Sequence, residues 1–298
     1  MGLYLNPGNE LFPISVNNDI YVDKSGLISF TNNKTGKKDR YLCVSRPRRF
    51  GKSTDAEMLA AYYDRSCNST EIFKSLKIAS DNSYETHRNK YDVIFLEIQQ
   101  LIIDAGGLKN LINYIITELT AELKEVYNDL LPPDENNLFR ILSFIYKNRK
   151  NNGFVFIIDE WDCIFRKSKN NETAQKEYLE FLTGLLKGRV YVKLAYMTGI
   201  LPIKKYGTHS ALNMFTEFSM ANPRQLTCYM GFTENEVKLL CKKYNSSFYE
   251  MKRWYDGYSF RQETHMYNPK SIIDAIDCKE FRSYWTETET AVSIVLLI

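Results

Sequence analysis

Residues 45–54 read SRPRRFGKST, and the fold turns on how they are taken. Gly51-Lys52-Ser53 has the ending of a phosphate-binding loop, but Arg46 stands where the pattern G-x-x-x-x-G-K-[ST] places its first glycine. The stretch is either a nucleotide site or a basic turn that ends in Gly-Lys-Ser. Its flanks favour the first reading. RYLCVS (40–45) reads as a buried strand, and KSTDAEMLAAYYDR (52–65) has helical character. The loop therefore joins a strand to a helix, as a phosphate cradle requires. Pro47, with its fixed φ, would shape the turn in place of the missing glycine.

The same alternation continues along the chain. YDVIFLEI (91–98) reads as a second strand, FVFIID (154–159) as a third and VYVKLAYMTG (190–199) as a fourth. Between them lie helices over 108–130, 137–149 and 173–188, each with apolar residues at helical spacing. FVFIID is apolar on both faces, which belongs to a central parallel strand rather than a surface hairpin. The expected fold is α/β, a parallel central sheet flanked by helices. IYVDKSGLISF (20–30) is a short apolar-alternating piece followed by a helix start at Ser25, and NNKTGKKD (32–39) is a polar loop.

Near residue 231 the character changes. GFTENEVKLLCKKY (231–244) carries a capping box in Thr233 and Glu236. YNPKSIIDAI (267–276) offers Asn268 as a cap and Pro269 at the first helical position. Between them WYDGYSF (254–260) reads as an aromatic turn around Gly257. The expected division is a nucleotide-binding domain over 1–230 and a small, mainly helical domain over 231–298, of lid or winged-helix-like kind. VSIVLLI (292–298) reads as a strand or helix cut short, so a longer parent protein is expected.

Bulk properties set limits. In 298 residues, a 44% hydrophobic content with 21 Tyr and 17 Phe argues for a folded core and against disorder. A formal charge of +3 is too small to name a nucleic-acid partner by itself. The six cysteines are scattered without metal-ligand spacing and read as free thiols of a reducing compartment. With three histidines, a histidine metal site has little support. The N-terminus lacks a secretory signal and no apolar run is long enough to span a bilayer, so a cytoplasmic location is expected.

Hydrolysis of a nucleoside triphosphate needs backbone N–H groups around the phosphates, a lysine on the β/γ oxygens, a hydroxyl on Mg²⁺, and carboxylates for metal and water. The chain has a candidate for each. Lys52 would bridge phosphate oxygens and Ser53 would ligate Mg²⁺. Asp159, at the tip of the third strand, would hold the same ion, and Glu160 would polarise the attacking water. The plainer alternative is that acidic residues often end strands and cap the next helix. Thr198, after the fourth strand, would sense the γ-phosphate or simply end the strand in a turn.

YVDKS, SRPRRFGKST, FIIDEWD, MTGILPIKKYG, GFTENEV, WYDGYSF and YNPKSI occur here in one order. That series resembles the bacterial AAA-ATPase-like family often joined to a PD-(D/E)xK-type nuclease domain, over about residues 11–290. The RPRRFGKS loop, with arginine for glycine, is a mark of that family. The resemblance implies ATP and Mg²⁺ as cofactors and a Walker A loop over Arg46, Pro47, Arg48, Arg49, Phe50, Gly51, Lys52, Ser53 and Thr54. It implies a Walker B pair with Asp159 on the metal and Glu160 as catalytic glutamate, and Thr198 after the fourth strand. The nuclease domain is expected to have no counterpart in this chain, so no nuclease activity is assigned to it.

Other residues carry weaker signals. The Arg46, Arg48 and Arg49 cluster would contact nucleotide phosphates, shape the loop through salt bridges, or track a nucleic-acid backbone. Asp162 reads as structural, and Trp161 as packing. Arg224 is a candidate finger for a neighbouring subunit, though an ordinary exposed arginine accounts for it. IKKYG (203–207) is a modest basic loop, and His209 alone makes no catalytic case. The reading that follows is Mg²⁺-dependent ATP hydrolysis working as a conformational switch, in a longer parent for a nuclease or a nucleic-acid process. Its rivals are a nucleotide-holding switch with little turnover, a nucleic-acid-binding module, and a phosphotransferase.

Overall fold

A computed structural model describes residues 2–150, 152–168, 170–203, 211–257 and 265–284. The loop at 46–51 follows strand β1 (Tyr41–Ser45) and leads into helix α3 (Lys52–Tyr63), after the short helices α1 (Leu11–Val16) and α2 (Gly26–Asn32). Two single turns, α4 (Thr70–Phe73) and α5 (Tyr84–His87), precede β2 (Asp92–Glu97). Helices α6 (Ile98–Asp104), α7 (Leu111–Tyr127) and α8 (Leu138–Asn148) then lead to β3 (Phe154–Asp159). Helices α9 (Cys163–Lys167) and α10 (Glu172–Leu186) lead to β4 (Val192–Gly199), and β5 (Thr216–Phe218) adds one more strand.

The five strands pair in the order β2-β3-β4-β1-β5, every pair parallel. The first four strands fall where the hydrophobic runs predict them. β2 separates the two acidic and basic motifs in sequence, but in the sheet β4 separates them and β2 lies outside β3. β5, three residues long, has no pattern of its own in the sequence and pairs with β1 as an edge.

Alternation along the strands builds two cores. Phe154, Phe156 and Ile158 of β3 face a cluster with Leu119, Leu142 and Leu182 from α7, α8 and α10. Val155 and Ile157 face the other way, into a cluster with Leu59, Ala56 and Leu27 from α3 and α2. Every residue of β3 is buried, which explains its unbroken apolar run. The N-terminal chain covers the outer edge of β2. Leu5 bridges Ile94, and Glu122 accepts the backbone N–H groups of Leu3 and Leu5, each at 2.6 Å.

From residue 231 onward the chain forms a smaller cluster. β6 (Phe232–Thr233) and β7 (Met266–Tyr267) make an antiparallel ribbon beside α11 (Glu234–Lys243), α12 (Phe248–Tyr255) and α13 (Pro269–Cys278). Both caps are formed as predicted: Thr233 and Glu236 close a capping box, and Asn268 caps α13 with Pro269 at its start. Val237, Met251, Tyr255, Tyr267 and Ile272 pack together, joined by Ile20 from the N-terminal segment. Trp254 of the aromatic turn stays 42% exposed, so it does not pack this cluster as Tyr255 does. The rest of that turn (258–260), most of the basic loop (204–207), His209 and the 292–298 run lie outside the described residues.

One buried ionic group fastens the sheet to its helices. Asp92, fully buried at the start of β2, accepts from Asn6 Nδ2 at 2.9 Å, from the Tyr127 hydroxyl at 2.6 Å and from Arg149. Replacing Arg149 with Ala leaves that carboxylate with the more distant Arg65, 3.8 Å away, as its cation and is expected to cost about 3 kcal/mol in urea unfolding. A loss under about 1 kcal/mol would contradict this role for the pair.

Candidate functional site

Parallel pairing brings the ends of β1, β4, β3 and β2 to one edge. Ser45 lies opposite Gly199, Ile158 opposite Met197, and Glu97 opposite Asp159. The 46–54 loop, Thr198, Asp159 and Glu160 therefore meet, although the loop lies more than a hundred residues before the others in sequence. Crevices outside the carboxyl ends of parallel strands are where such sheets bind ligands.

The loop owes its shape to local backbone constraints. Arg49 and Gly51 both take left-handed conformations, with φ of 69° and 81°. A Cβ on Gly51 would meet no atom within 4 Å, so glycine is favoured there by φ rather than by space. Lys52 opens α3 and is buried, and its Nζ donates to the Pro47 carbonyl at 2.9 Å. Burial lowers its pKa to about 8, opposed by the charges of Asp159, Asp162 and Glu160. Ser53 is exposed at the first turn of the helix, where N–H groups have no intrahelical acceptor.

Thr198, itself fully buried, donates its hydroxyl to Asp159 Oδ1, which also accepts the Glu160 N–H at 2.9 Å. Glu160 is held with φ at 52°, an uncommon conformation for a residue with a side chain. Its Oε2 pairs with Arg166 Nη2 at 2.8 Å, and Arg166 Nε reaches Asp162 Oδ2 at 3.1 Å. Asp162 Oδ2 in turn accepts the N–H groups of Ile200 and Leu201, at 3.2 and 2.9 Å. Asp162 is thus structural, as the sequence reading has it, and Trp161 is buried against Phe165. Gly199 lets the two segments approach: a Cβ there would stand 2.7 Å from the Trp161 ring and 2.8 Å from Asp162 Oδ1.

The arginines divide. Arg46 is buried under the loop, and its Nη1 donates to Ser45 O at 2.9 Å and Phe218 O at 2.7 Å. Those bonds fasten β5 to β1, so the residue in the glycine's place braces the sheet edge. Arg48 is half-buried and Arg49 exposed. Arg224, the candidate finger, is exposed with its guanidinium over the Phe218 ring, 6.0 Å from its centroid.

Beside the loop a cavity of about 150 Å³ is walled by Gly51 and Thr54, by Ile20 and Tyr21, and by Phe232 and Ile273 from the smaller cluster. Phe50 crosses between the parts, since a Cβ on Gly231 would stand 3.0 Å from its ring. Lys24, also on this cavity, donates to Glu236 Oε2 at 2.6 Å and to Cys228 O at 2.8 Å. The IYVDK segment therefore lines a cavity instead of forming a strand. Sequence reasoning passed over Lys24, Asp55 and Arg166. For Arg166 a signal was present, in its i+4 spacing from Asp162.

A five-stranded parallel sheet with this loop at its carboxyl edge is the frame of the comparisons with known proteins. The chain belongs to the family described as Predicted AAA-ATPase, whose model matches residues 11–208. It is also 25% identical over 287 residues to an uncharacterized protein in the vnfD 5′ region of Azotobacter chroococcum mcd 1. That match covers 93% of this chain and 52% of the relative, so the chain spans about half its relative's length. No helix among the described residues is long and apolar enough to cross a membrane.

Acidic groups around Asp159 feel its charge. Burial, then Asp159, raises Glu57 from its ordinary 4.5 to about 7. A raised carboxyl favours the protonated fold, so this contribution to stability is lost as pH rises from about 4.5 to about 7. Glu57→Gln is expected to lose less stability than wild type between pH 5 and pH 8 in urea titrations. Equal losses in both proteins would contradict the assignment.

Proposed function

We propose that the chain binds ATP with Mg²⁺ through the 46–54 loop and hydrolyses it, working as a conformational switch on a P-loop NTPase fold. The observation that carries this reading is Lys52. It is a buried ammonium at a helix start, held by the loop's own Pro47 carbonyl and facing a carboxylate cluster. A phosphate would take the place of that carbonyl as a stronger, charged acceptor. The strand order, with β4 between β1 and β3, and the family membership add support.

The donor set fits a hard cation, because the Ser53 hydroxyl is exposed and Asp159 supplies carboxylate oxygen. Bound there, Mg²⁺ would neutralise charge on the phosphates. Thr198 fixes the Asp159 carboxylate, and Glu160 would accept a proton from water, a role worth about 10²–10⁴ in rate. The nucleotide base would enter the cavity beside Thr54. Residues 1–230 would form the nucleotide domain and 231–298 a lid, joined through Phe50, Lys24 and Glu236. A switch with little turnover is the second reading. It is favoured by the Glu160–Arg166 pair, which occupies the base until something releases it.

Lys52→Ala is expected to abolish Mg²⁺-dependent ATP binding, and Glu160→Gln to bind ATP but stall phosphate release. Binding without release in wild type would select the second reading, and no binding at all would return the loop to a basic turn. Lys52, near 8 when free, should be held charged by a bound triphosphate. Calorimetry in buffers of different ionisation heat should therefore detect uptake of close to one proton on ATP binding at pH 9. Little uptake is expected at pH 6.5. Equal uptake at both pH values would contradict this.

A further inference from the structure

The 46–54 loop is held by more than the strand and helix that flank it. Asn268 Nδ2 donates to the Arg48 carbonyl at 3.5 Å, a long hydrogen bond whose donor is buried. Two residues on, the buried Phe50 ring packs against Gly231. These two partners are neighbours. In the β6–β7 ribbon Phe232 lies opposite Tyr267, so the antiparallel register brings Gly231 and Asn268 together at the ribbon's end. Gly231 has φ of 86°, and a Cβ there would stand 3.0 Å from the Phe50 ring and 3.1 Å from the Tyr267 carbonyl oxygen. Glycine is what lets the ribbon end come so close to the loop. Between the two held points sits Arg49, left-handed although it carries a side chain. Such conformations persist only where their surroundings fix them. Here the carbonyl before Arg49 and the ring after it both meet the ribbon end.

We infer that Asn268 is a positioning residue of the phosphate loop, holding the Arg48 carbonyl so that the left-handed turn at Arg49 is kept. This rests on the nucleotide reading above and deepens it, because the smaller cluster then sets the loop's affinity for phosphates. The Asn268 side chain divides its work. Its Oδ1 accepts the Lys270 N–H at 3.0 Å and caps α13, which leaves Nδ2 for the loop. The cap alone does not call for asparagine. Aspartate caps a helix as well but has no donor, and serine is too short to serve both partners. Only an amide offers an acceptor to the helix and a donor to a carbonyl in one planar group. The adjoining carbonyl, of Pro47, holds Lys52. Two successive carbonyls of one turn are therefore engaged, one from inside the site and one from the ribbon. Such coupling is reciprocal, so a phosphate held by the loop also steadies the ribbon end.

The test uses Asn268→Asp, which keeps the cap and removes the donor, and Asn268→Ser, which keeps the cap and cannot reach the loop. Agreement between them excludes the added charge as the cause. Without nucleotide, trypsin should nick both variants after Arg48 or Arg49 about fivefold faster than wild type, read by mass spectrometry, because a lost hydrogen bond raises the open population by about that factor. ATP with Mg²⁺ should bind both about fivefold more weakly, with the urea midpoint close to wild type. A residue that only caps α13 would leave nicking and ATP affinity unmoved, and that result overturns the inference. So does faster nicking with ATP affinity unchanged, or a urea midpoint that falls in step with both losses. Wild type gives a check that needs no variant: ATP with Mg²⁺ should slow hydrogen exchange over 266–271, and bound ATP without slowing there overturns the inference. The two levels separate cleanly. If nicking quickens in the variants while wild type binds no ATP, the tether stands and the nucleotide reading falls; if ATP binds while nicking stays at the wild-type rate, the tether alone falls.

Discussion

The hydrogen bond from Thr198 to Asp159 joins β4 and β3 at the edge where the loop emerges, and the local geometry is arranged around it. Asp159 is almost wholly buried, so its carboxylate needs donors supplied by the fold. Thr198 gives one and the Glu160 N–H another, and the second bond accompanies the left-handed turn at Glu160. From that turn Glu160 reaches Arg166, Arg166 reaches Asp162, and Asp162 holds the chain just past Gly199. The ends of two strands are thus closed into one ring of polar contacts. A displacement of either strand end would be felt at Glu160.

Charge is concentrated and dry at this edge. Lys52, Arg46, Asp55, Asp159 and Asp162 are all buried within the same region. Burying charges costs free energy that pairing recovers only in part, so their retention points to use rather than to stability. Their pairing is also incomplete. Arg46 Nη1 and Asp162 Oδ2 bond backbone groups of the fold, but Arg46 Nη2, Asp162 Oδ1 and Asp55 Oδ2 are buried without a partner, and Lys52 has a replaceable carbonyl.

Much of the scaffold was legible because hydrophobic runs and caps are local signals. FVFIID could be read as a central strand from its unbroken apolarity, and Thr233 with Glu236 as a helix start from spacing alone. β5 was not legible: three residues of mixed polarity carry no strand pattern and pair with β1 through tertiary contacts, among them the Arg46 bond to the Phe218 carbonyl. The role of Arg46 was hidden for the same reason, since a guanidinium's direction is decided by tertiary partners. The loop and the Asp159-Glu160 pair stood out as motifs, but their meeting depends on β4 entering between their strands, which no local pattern specifies. Asp55 and Lys24 have ordinary neighbours in sequence, and only the cavity singles them out.

The central claim is that the Lys52 ammonium is held in waiting for a phosphate. The most direct measurement is a crystal structure with Mg²⁺ and a non-hydrolysable ATP analogue. The account predicts that Lys52 Nζ leaves the Pro47 carbonyl for the β- and γ-phosphate oxygens, with the Ser53 hydroxyl on the metal. An analogue bound elsewhere, with Lys52 still on Pro47, would contradict it.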